Sequence, residues 1–271
     1  MHTTPLASTA LAADVAALLP KRHQDEWTVS SAVRKEHPDH PATRLANGQR
    51  RFLLLLTDSG HTTLTAPAPA ADTSLTVAGS APAAVAGAAL RSLLPRIDHD
   101  IIRLSPPRQR QHRLQYLAEI DSRLRELGTS AQRFDRADDT TGLSWQCGDA
   151  SVNFTLRGTS ATGSVTFRGS LGTLECFLAP FLPPHPGPGR VRTSPLRGCG
   201  GVARRVVAAF PHAVEADEDG LVQFADADGG PLRGWVMPRD INGPTGPTTP
   251  VSAGICGAGV DLMLAALPTI A

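Results

Sequence analysis

The sequence predicts an α+β protein made of three degenerate helix–antiparallel strands–helix modules in tandem. Three observations carry that expectation. First, Thr73 to Pro95, Ser164 to Pro183 and Pro250 to Pro268 each run a polar, β-prone stretch into a small-residue turn and then an apolar helix ending at or near proline. Second, an amphipathic helix opens each of the three units. Third, the strand candidates between are short and separated by hairpin-type turns, which favours antiparallel sheets with helices on one face. The expected boundaries are residues 1–97, 98–183 and 198–271, with a Pro/Gly-rich linker at 184–197.

The first unit opens at Thr4 and Pro5, a suitable N-cap and N1 pair. Leu6, Leu11, Val15, Leu18 and Leu19 then supply an apolar helix face, and Pro20 stops the helix. Strands are expected at Trp27 to Val33, Arg51 to Thr57, Thr62 to Ala66 and Thr73 to Ala78, with Asp58-Ser59-Gly60 as a hairpin turn. The continuous apolar run Phe52 to Leu56 fits a central strand covered on both faces. Ser80 can cap the closing helix, with Pro82 in its first turn.

The second unit has the clearest helix. Ser105 precedes Pro106, and Leu114, Leu117, Ile120, Leu124 and Leu127 recur at steps of three and four before Gly128, which suits an αL terminus. Glu119 with Arg123 and Asp121 with Arg125 are i,i+4 pairs. A polar loop leads to strands near Ser144 to Cys147, Ser151 to Arg157 and Ser164 to Arg168, and a helix from Leu171 to Leu182 closes the unit. The third unit begins at Gly198 with a helix carrying Val202, Val206, Val207 and Phe210, stopped by Pro211. Strands at Leu221 to Ala225 and Leu232 to Met237 flank the hairpin signal Asp228-Gly229-Gly230. The loop NGPTGPTTP precedes a last helix from Ala258 to Leu267.

Composition narrows the class. At 271 residues the chain is long enough for about two domains. Aromatic residues are 4% of it, so its cores rest on Ala, Val and Leu. Lys21 and Lys35 are the only lysines, and with abundant Ala, Gly and Pro this suggests a high-GC bacterial gene. A net charge of +1 gives no general pull toward nucleic acid or an anionic membrane. No apolar run approaches the ~20 residues that span a bilayer. The amino terminus lacks the basic n-region of a signal peptide, so a cytoplasmic location is expected. Cys147, Cys176, Cys199 and Cys256 are widely spaced, which predicts reduced thiols rather than a zinc site or a disulfide framework.

Chemistry has few candidates. Cys199 and Cys256 lie in glycine-rich stretches expected to be turns before helices, where a helix N-terminus favours a thiolate. Arg197, Arg204 and Arg205 would add to that at Cys199. Ser80 and Ser170 hold the matching junctions, so smallness alone accounts for both cysteines, and His212 is some thirteen residues from Cys199. Gly198, Gly200 and Gly201 lack the completed dinucleotide fingerprint, and Gly254, Gly257 and Gly259 stand in the wrong order for it. Glu215 to Gly220 approximates a calcium loop through Glu215, Asp217 and Asp219, but a strand rather than a helix follows. His37 to Pro41 sets two histidines beside Asp39 without a third ligand, and Asp98-His99-Asp100 is a second acidic histidine cluster. Neither a metal nor a cofactor is expected.

Arg190, Arg192, Arg197, Arg204 and Arg205 form a basic segment without an acid, followed by the acidic stretch Glu215 to Asp228, and the two are expected to meet. The closing pattern of strand, small residues and apolar helix resembles actinobacterial repeat domains of unknown function that occur in tandem. That resemblance covers the three closing segments only and implies no activity and no site residues. Together these readings point to a non-catalytic binding or adaptor protein whose partner is a protein rather than nucleic acid or a membrane. The alternatives are a thiol-dependent enzyme using Cys199 and a nucleic-acid accessory factor using Arg190 to Arg205.

Overall fold

The structure is a computed structural model and describes residues 5–23, 25–32, 42–57, 59–66, 73–103, 109–158, 160–182, 200–210, 214–216, 221–225, 230–240, 243 and 245–269. Its helices and two antiparallel sheets make an α+β fold, divided into two compact units, residues 1–109 and 110–271.

In the first unit α1 (Pro5–Leu18) leads into β1 (Thr28–Ala32), β2 (Ala42–Asn47), β3 (Arg50–Leu56), β4 (Thr62–Thr65) and β5 (Ser74–Val77), a five-stranded meander in sequence order. Strand β2 joins the expected strands, its hairpin to β3 turning through Gly48 at φ +59°. Phe52 and Leu54 of β3, Leu45 of β2 and Leu64 of β4 are fully buried against the helical side. Leu53 and Leu55 are only half-buried, so the apolar run of β3 is covered on one face and not on both. Leu11 and Val15 of α1 and Leu19 just after it are buried, whereas Leu18 is 51% exposed and does not join them. Ser8 takes a core place instead, its hydroxyl 3.1 Å from that of Thr43.

The closing helix departs from expectation at both ends. Ala81 is its N-cap, without a side-chain cap, so Ser80 does not serve. Pro95 does not stop it. After α2 (Pro82–Ala88) a π turn, Ala89–Leu93, carries the chain directly into α3 (Leu94–Arg103). The Leu94 N–H reaches back five residues to Ala89, and this widened turn lies where the Pro95 ring would otherwise press on the carbonyl four residues earlier. The helix therefore runs through residues 97 and 98, and Asp98 is buried in it rather than placed in a surface loop. Its carboxylate lies 3.5 Å from Arg22 and 3.5 Å from Arg50, both also buried.

The second unit begins with α4 (Gln109–Glu126). Its end is a Schellman turn: Thr129 N–H donates to Leu124 O at 2.8 Å, Gly128 N–H to Arg125 O at 3.0 Å, and Gly128 has φ +82°. Asp121 pairs with Arg125, while Arg123 bonds Glu126 at 2.7 Å. Next come β6 (Ala131–Arg136), within the stretch read as a loop, then β7 (Thr140–Cys147), β8 (Ala150–Arg157), β9 (Thr162–Ser170) and α5 (Leu171–Leu178). The chain continues with α6 (Gly201–Ala209), β10 (Val214–Ala216), β11 (Val222–Ala225), β12 (Arg233–Pro238), β13 (Pro250–Gly259) and α7 (Val260–Ala266), with a 3-10 turn at Leu267–Thr269. All eight strands share one sheet in the order β10-β11-β12-β13-β9-β8-β7-β6. The β9–β13 pairing therefore unites segments lying on either side of residues 184–197.

Strand β13 occupies residues expected to form a turn and the start of a helix. Cys256 is accordingly a strand residue, not a helix N-terminal one, and α7 begins after a β-bulge at Cys256/Ala258. The loop before β13 is put to structural use: Pro247 O and Thr249 O accept from the Gly172 and Leu171 N–H groups, each at 2.8 Å, satisfying donors that α5 leaves free in its first turn. Ser170 caps α5, accepting from Thr173 N–H at 3.4 Å.

Candidate functional site

Alternation along the eight-stranded sheet sorts its residues by face. Val152, Phe154 and Leu156 of β8, Val165 and Phe167 of β9, Val236 of β12, and Val251, Ala253 and Ile255 of β13 are buried. Residues of opposite parity point away from that core: Ser151, Asn153, Thr155 and Arg157 on β8, and Thr162, Ser164, Thr166 and Arg168 on β9. Register extends this face across the sheet. One row runs Gln132, Ser144, Asn153, Thr166, Gly254, Trp235 and Gln223. On one side of it lie Phe134, Gly142, Thr155, Ser164, Cys256 and Arg233, and on the other Gln146, Ser151, Arg168, Ser252 and Met237.

Hydroxyls, amides and arginines thus furnish the face, and its outward positions on β6–β9 and β11–β13 include no Asp or Glu. Arg157, Arg168 and Arg233 have no acidic partner among the described residues, and Arg136 is recorded only against the Phe134 ring, at 5.3 Å. Trp235 and Met237 are exposed on it, at 38% and 44%. The Trp235 ring lies along Gly254: a Cβ there would come within 2.5 Å of its Nε1.

At one end of this face is a cleft of about 390 Å³. Arg136, Thr140 and Arg157 stand side by side on β6, β7 and β8 as its back wall. Ser160, Thr162 and Ser164 line it from the β8–β9 turn and β9, and Asp138 lines it from the β6–β7 turn. Two contacts fix the turns around it. Gly158 N–H donates to Asp139 O at 3.2 Å, joining the β8–β9 turn to the β6–β7 turn. The buried Arg113 of α4 donates to the same carbonyl at 2.9 Å and to the Asp139 carboxylate at 2.7 Å. That guanidinium holds the Asp139 carboxyl below the usual carboxylate range and lets a non-glycine residue sit at φ +59°.

The residues singled out in the sequence fare unevenly. Cys199, Arg190, Arg192, Arg197, His212, the linker and His37 to Pro41 lie outside the described residues, as do Asp217 to Gly220. Cys147, Cys176 and Cys256 are free thiols. Cys147 is partly enclosed, and burial together with the nearby Asp149 charge pushes its thiol up, away from a reactive thiolate. Cys256 is exposed on the open face, its sulfur accepting weakly from Ser164 Oγ at 3.7 Å. Arg205 grips Glu175 of α5 through a bidentate pair at 2.6 and 2.7 Å, which raises the guanidinium pKa. Of the described residues, none assemble as a group of three or more metal-ligating side chains, and no helix among them is long and apolar enough to cross a membrane.

The open face and the cleft were not anticipated. Their signal is the polar alternation Ser-x-Asn-x-Thr-x-Arg of β8 and Thr-x-Ser-x-Thr-x-Arg of β9, which becomes a surface only once register is known. No family model matches the chain, and no curated protein or solved structure is found similar to it.

Proposed function

We propose that the chain is a non-catalytic binding or adaptor protein, built from three helix–antiparallel strands–helix modules, that docks an acidic protein partner on the open face of its eight-stranded sheet. The element order supports the modular reading. Each opening helix (α1, α4, α6) is followed by a meander and then a closing helix, which follows the last strand directly in the second and third modules and after residues 78–81 in the first. The last strands of the second and third modules meet antiparallel at mid-sheet, Thr166 opposite Gly254, as a local two-fold would place them.

One observation carries the functional reading: exposed Trp235 and Met237 share a face with Arg168 and Arg233, and the outward positions of β6–β9 and β11–β13 carry no carboxylate, Glu215 of β10 following only at the sheet edge, opposite Gln223. Trp, Met and Arg are the residues enriched at protein interfaces, and arginines that outnumber the acids on such a face favour an acidic partner. A nucleic-acid strand fits less well. It needs successive aromatic platforms, whereas Trp235 on β12 and Phe134 on β6 are five strands apart in the sheet order, roughly 24 Å. The thiol-enzyme alternative rests on Cys199, which lies outside the described residues, and the exposed Cys256 has a serine hydroxyl as its recorded partner.

The test places a photo-crosslinking residue at Trp235 or Met237, with exposed Leu18 as the control position, and measures the affinity of the purified crosslinked protein. Trp235→Ala should weaken it about 30-fold or more, the scale of an interface hot spot. Affinity indifferent to Trp235→Ala and Arg168→Glu, or crosslinks to nucleic acid alone, would overturn the proposal.

A further inference from the structure

We infer that the cleft between the β6–β7 and β8–β9 turns is a binding site for the phosphoryl group of a small phosphomonoester. The inference stands whether or not the open face also takes a protein partner, because it rests on different residues.

The cationic wall comes first. Arg136 and Arg157 flank Thr140 in register, one strand to either side, so a single anion in front of Thr140 is within reach of both guanidinium groups. Neither arginine has a carboxylate partner among the described residues: Arg136 rests on the Phe134 ring and Arg157 is exposed without a recorded partner. Arginine left unpaired in a concavity is a fork of donors suited to an anionic oxygen group.

Hydroxyls supply the rest. Thr140 is nearly buried, at 8% exposure, and its hydroxyl has no recorded bond. Ser164 spends its proton only on the weak acceptor Cys256 Sγ, at 3.7 Å. Ser160 and Thr155 are committed differently, donating to the carbonyls of Thr162 at 2.8 Å and Ser164 at 3.2 Å, which fixes the wall on that side. Donors therefore converge from two arginines on β6 and β8, from Thr140 between them, and from β9. This distribution suits a tetrahedral group with several anionic oxygens better than a planar carboxylate, which a single arginine fork satisfies.

The carboxylates nearby leave the site cationic. Asp139, next to the cleft, is neutralised by Arg113 and turned toward α4. Asp138 is the one acid among the residues that line the cleft, against two arginines. The volume of about 390 Å³ lies at the small end of ligand pockets, room for a phosphate with a compact organic body. The walls are also set before a ligand arrives, since Arg113 and the Gly158–Asp139 bond tie the two turns together.

Titration followed by phosphorus NMR and calorimetry tests this with the full chain and defined probes: inorganic phosphate, glycerol phosphate, a capped phosphothreonine tripeptide, succinate and acetate. Arg136→Ala and Arg157→Ala should each weaken phosphate and glycerol phosphate at least tenfold, and Thr140→Val severalfold. Arg168→Ala, on the same face but outside the cleft, should leave binding unchanged. Glycerol phosphate binding more tightly than the tripeptide assigns a free phosphomonoester. The reverse order would replace that part of the inference with a phosphorylated side chain. Three results would overturn the site: no saturable phosphate binding, equal losses from Arg168→Ala and Arg157→Ala, or succinate binding as tightly as phosphate. Circular dichroism of each variant separates lost binding from lost fold.

Discussion

Asp98→Asn should cost the first unit a large share of its stability. In the native chain Asp98 is enclosed between Arg22 and Arg50, with side-chain exposures of 1% for Arg22, 3% for Asp98 and 6% for Arg50. Asparagine has nearly the same shape, so the substitution opens no cavity. It removes the negative charge that both guanidinium groups face. Breaking a buried ion pair from one side costs about 3–5 kcal/mol, against a total of about 5–15 kcal/mol for a typical domain. Trp27 is a local reporter: its ring centroid is 5.8 Å from the Arg50 guanidinium and 5.6 Å from that of Phe52. The other tryptophans, Trp145 and Trp235, can be changed to Phe so that Trp27 alone emits. With a urea slope of about 2 kcal/mol per molar, the midpoint of the Trp27 transition should fall by roughly 2 M. A loss below about 1 kcal/mol would refute the reasoning, because it would mean the two arginines are solvated when the carboxylate is gone. A companion variant sharpens the point. Arg22→Met, Arg50→Met and Asp98→Leu together should recover most of the loss, since an apolar cluster of similar volume carries no desolvation cost.

Thr141→Val should stabilise the second unit by about 1 kcal/mol, because the buried Thr141 hydroxyl has no hydrogen-bond partner and the swap removes an unpaired polar atom at nearly constant shape; a lower thermal midpoint would show that the hydroxyl is satisfied. Acid should weaken the same unit through Asp149 and Asp139. Hydrogen bonds from Ser170 and Thr173 hold the Asp149 carboxyl below the ordinary range, as the Arg113 bond does for Asp139. A depressed folded pKa means that the unfolded chain takes up protons first. The stabilisation is therefore full above the unfolded value of about 3.9 and is lost as pH falls below it toward the folded values. Urea unfolding between pH 6 and pH 2.5 should show a smaller pH-dependent loss in Asp149→Asn/Asp139→Asn than in the parent chain, and an equal loss would remove both groups from the account.

Local signals in the sequence carried most of the helices and the strands that alternate cleanly. Gly128 ends α4 as its position implies, and the buried stripe Leu117, Ile120 and Leu124 follows the helical period. Strand β6 escaped because AQRFDR offers no apolar alternation: its residues are half-buried or exposed throughout. Strand β2 escaped although Asn47-Gly48 is a strong hairpin signal, with Gly48 in the left-handed region that such a turn requires. Pro95 misled because a proline ordinarily ends a helix, and the π turn that accommodates it has no local signature. The Asp98 site was beyond any local reading, since Arg22 and Arg50 come from a loop and a strand far away in the chain.

The glycines teach a different lesson, and it bears on function. Gly254 and Gly142 belong to small-residue stretches in strands β13 and β7, and in sequence such stretches read as turns or breaks. In the sheet they are seats for aromatic rings. A Cβ at Gly142 would come within 2.5 Å of Phe134, just as one at Gly254 would crowd Trp235. Glycine in a strand interior weakens the strand, so its presence under an aromatic marks a place where close approach matters more than propensity. The effect is to let the Phe134 and Trp235 rings pack closely over the adjoining strand. A ring fixed this way before binding loses little freedom when a ligand arrives. The cleft follows the same logic, with Arg136 stacked on Phe134 and the turns on either side tied through Asp139. What the sequence presents as breaks in its strands are, in the fold, the seats against which the aromatic rings of the open face pack.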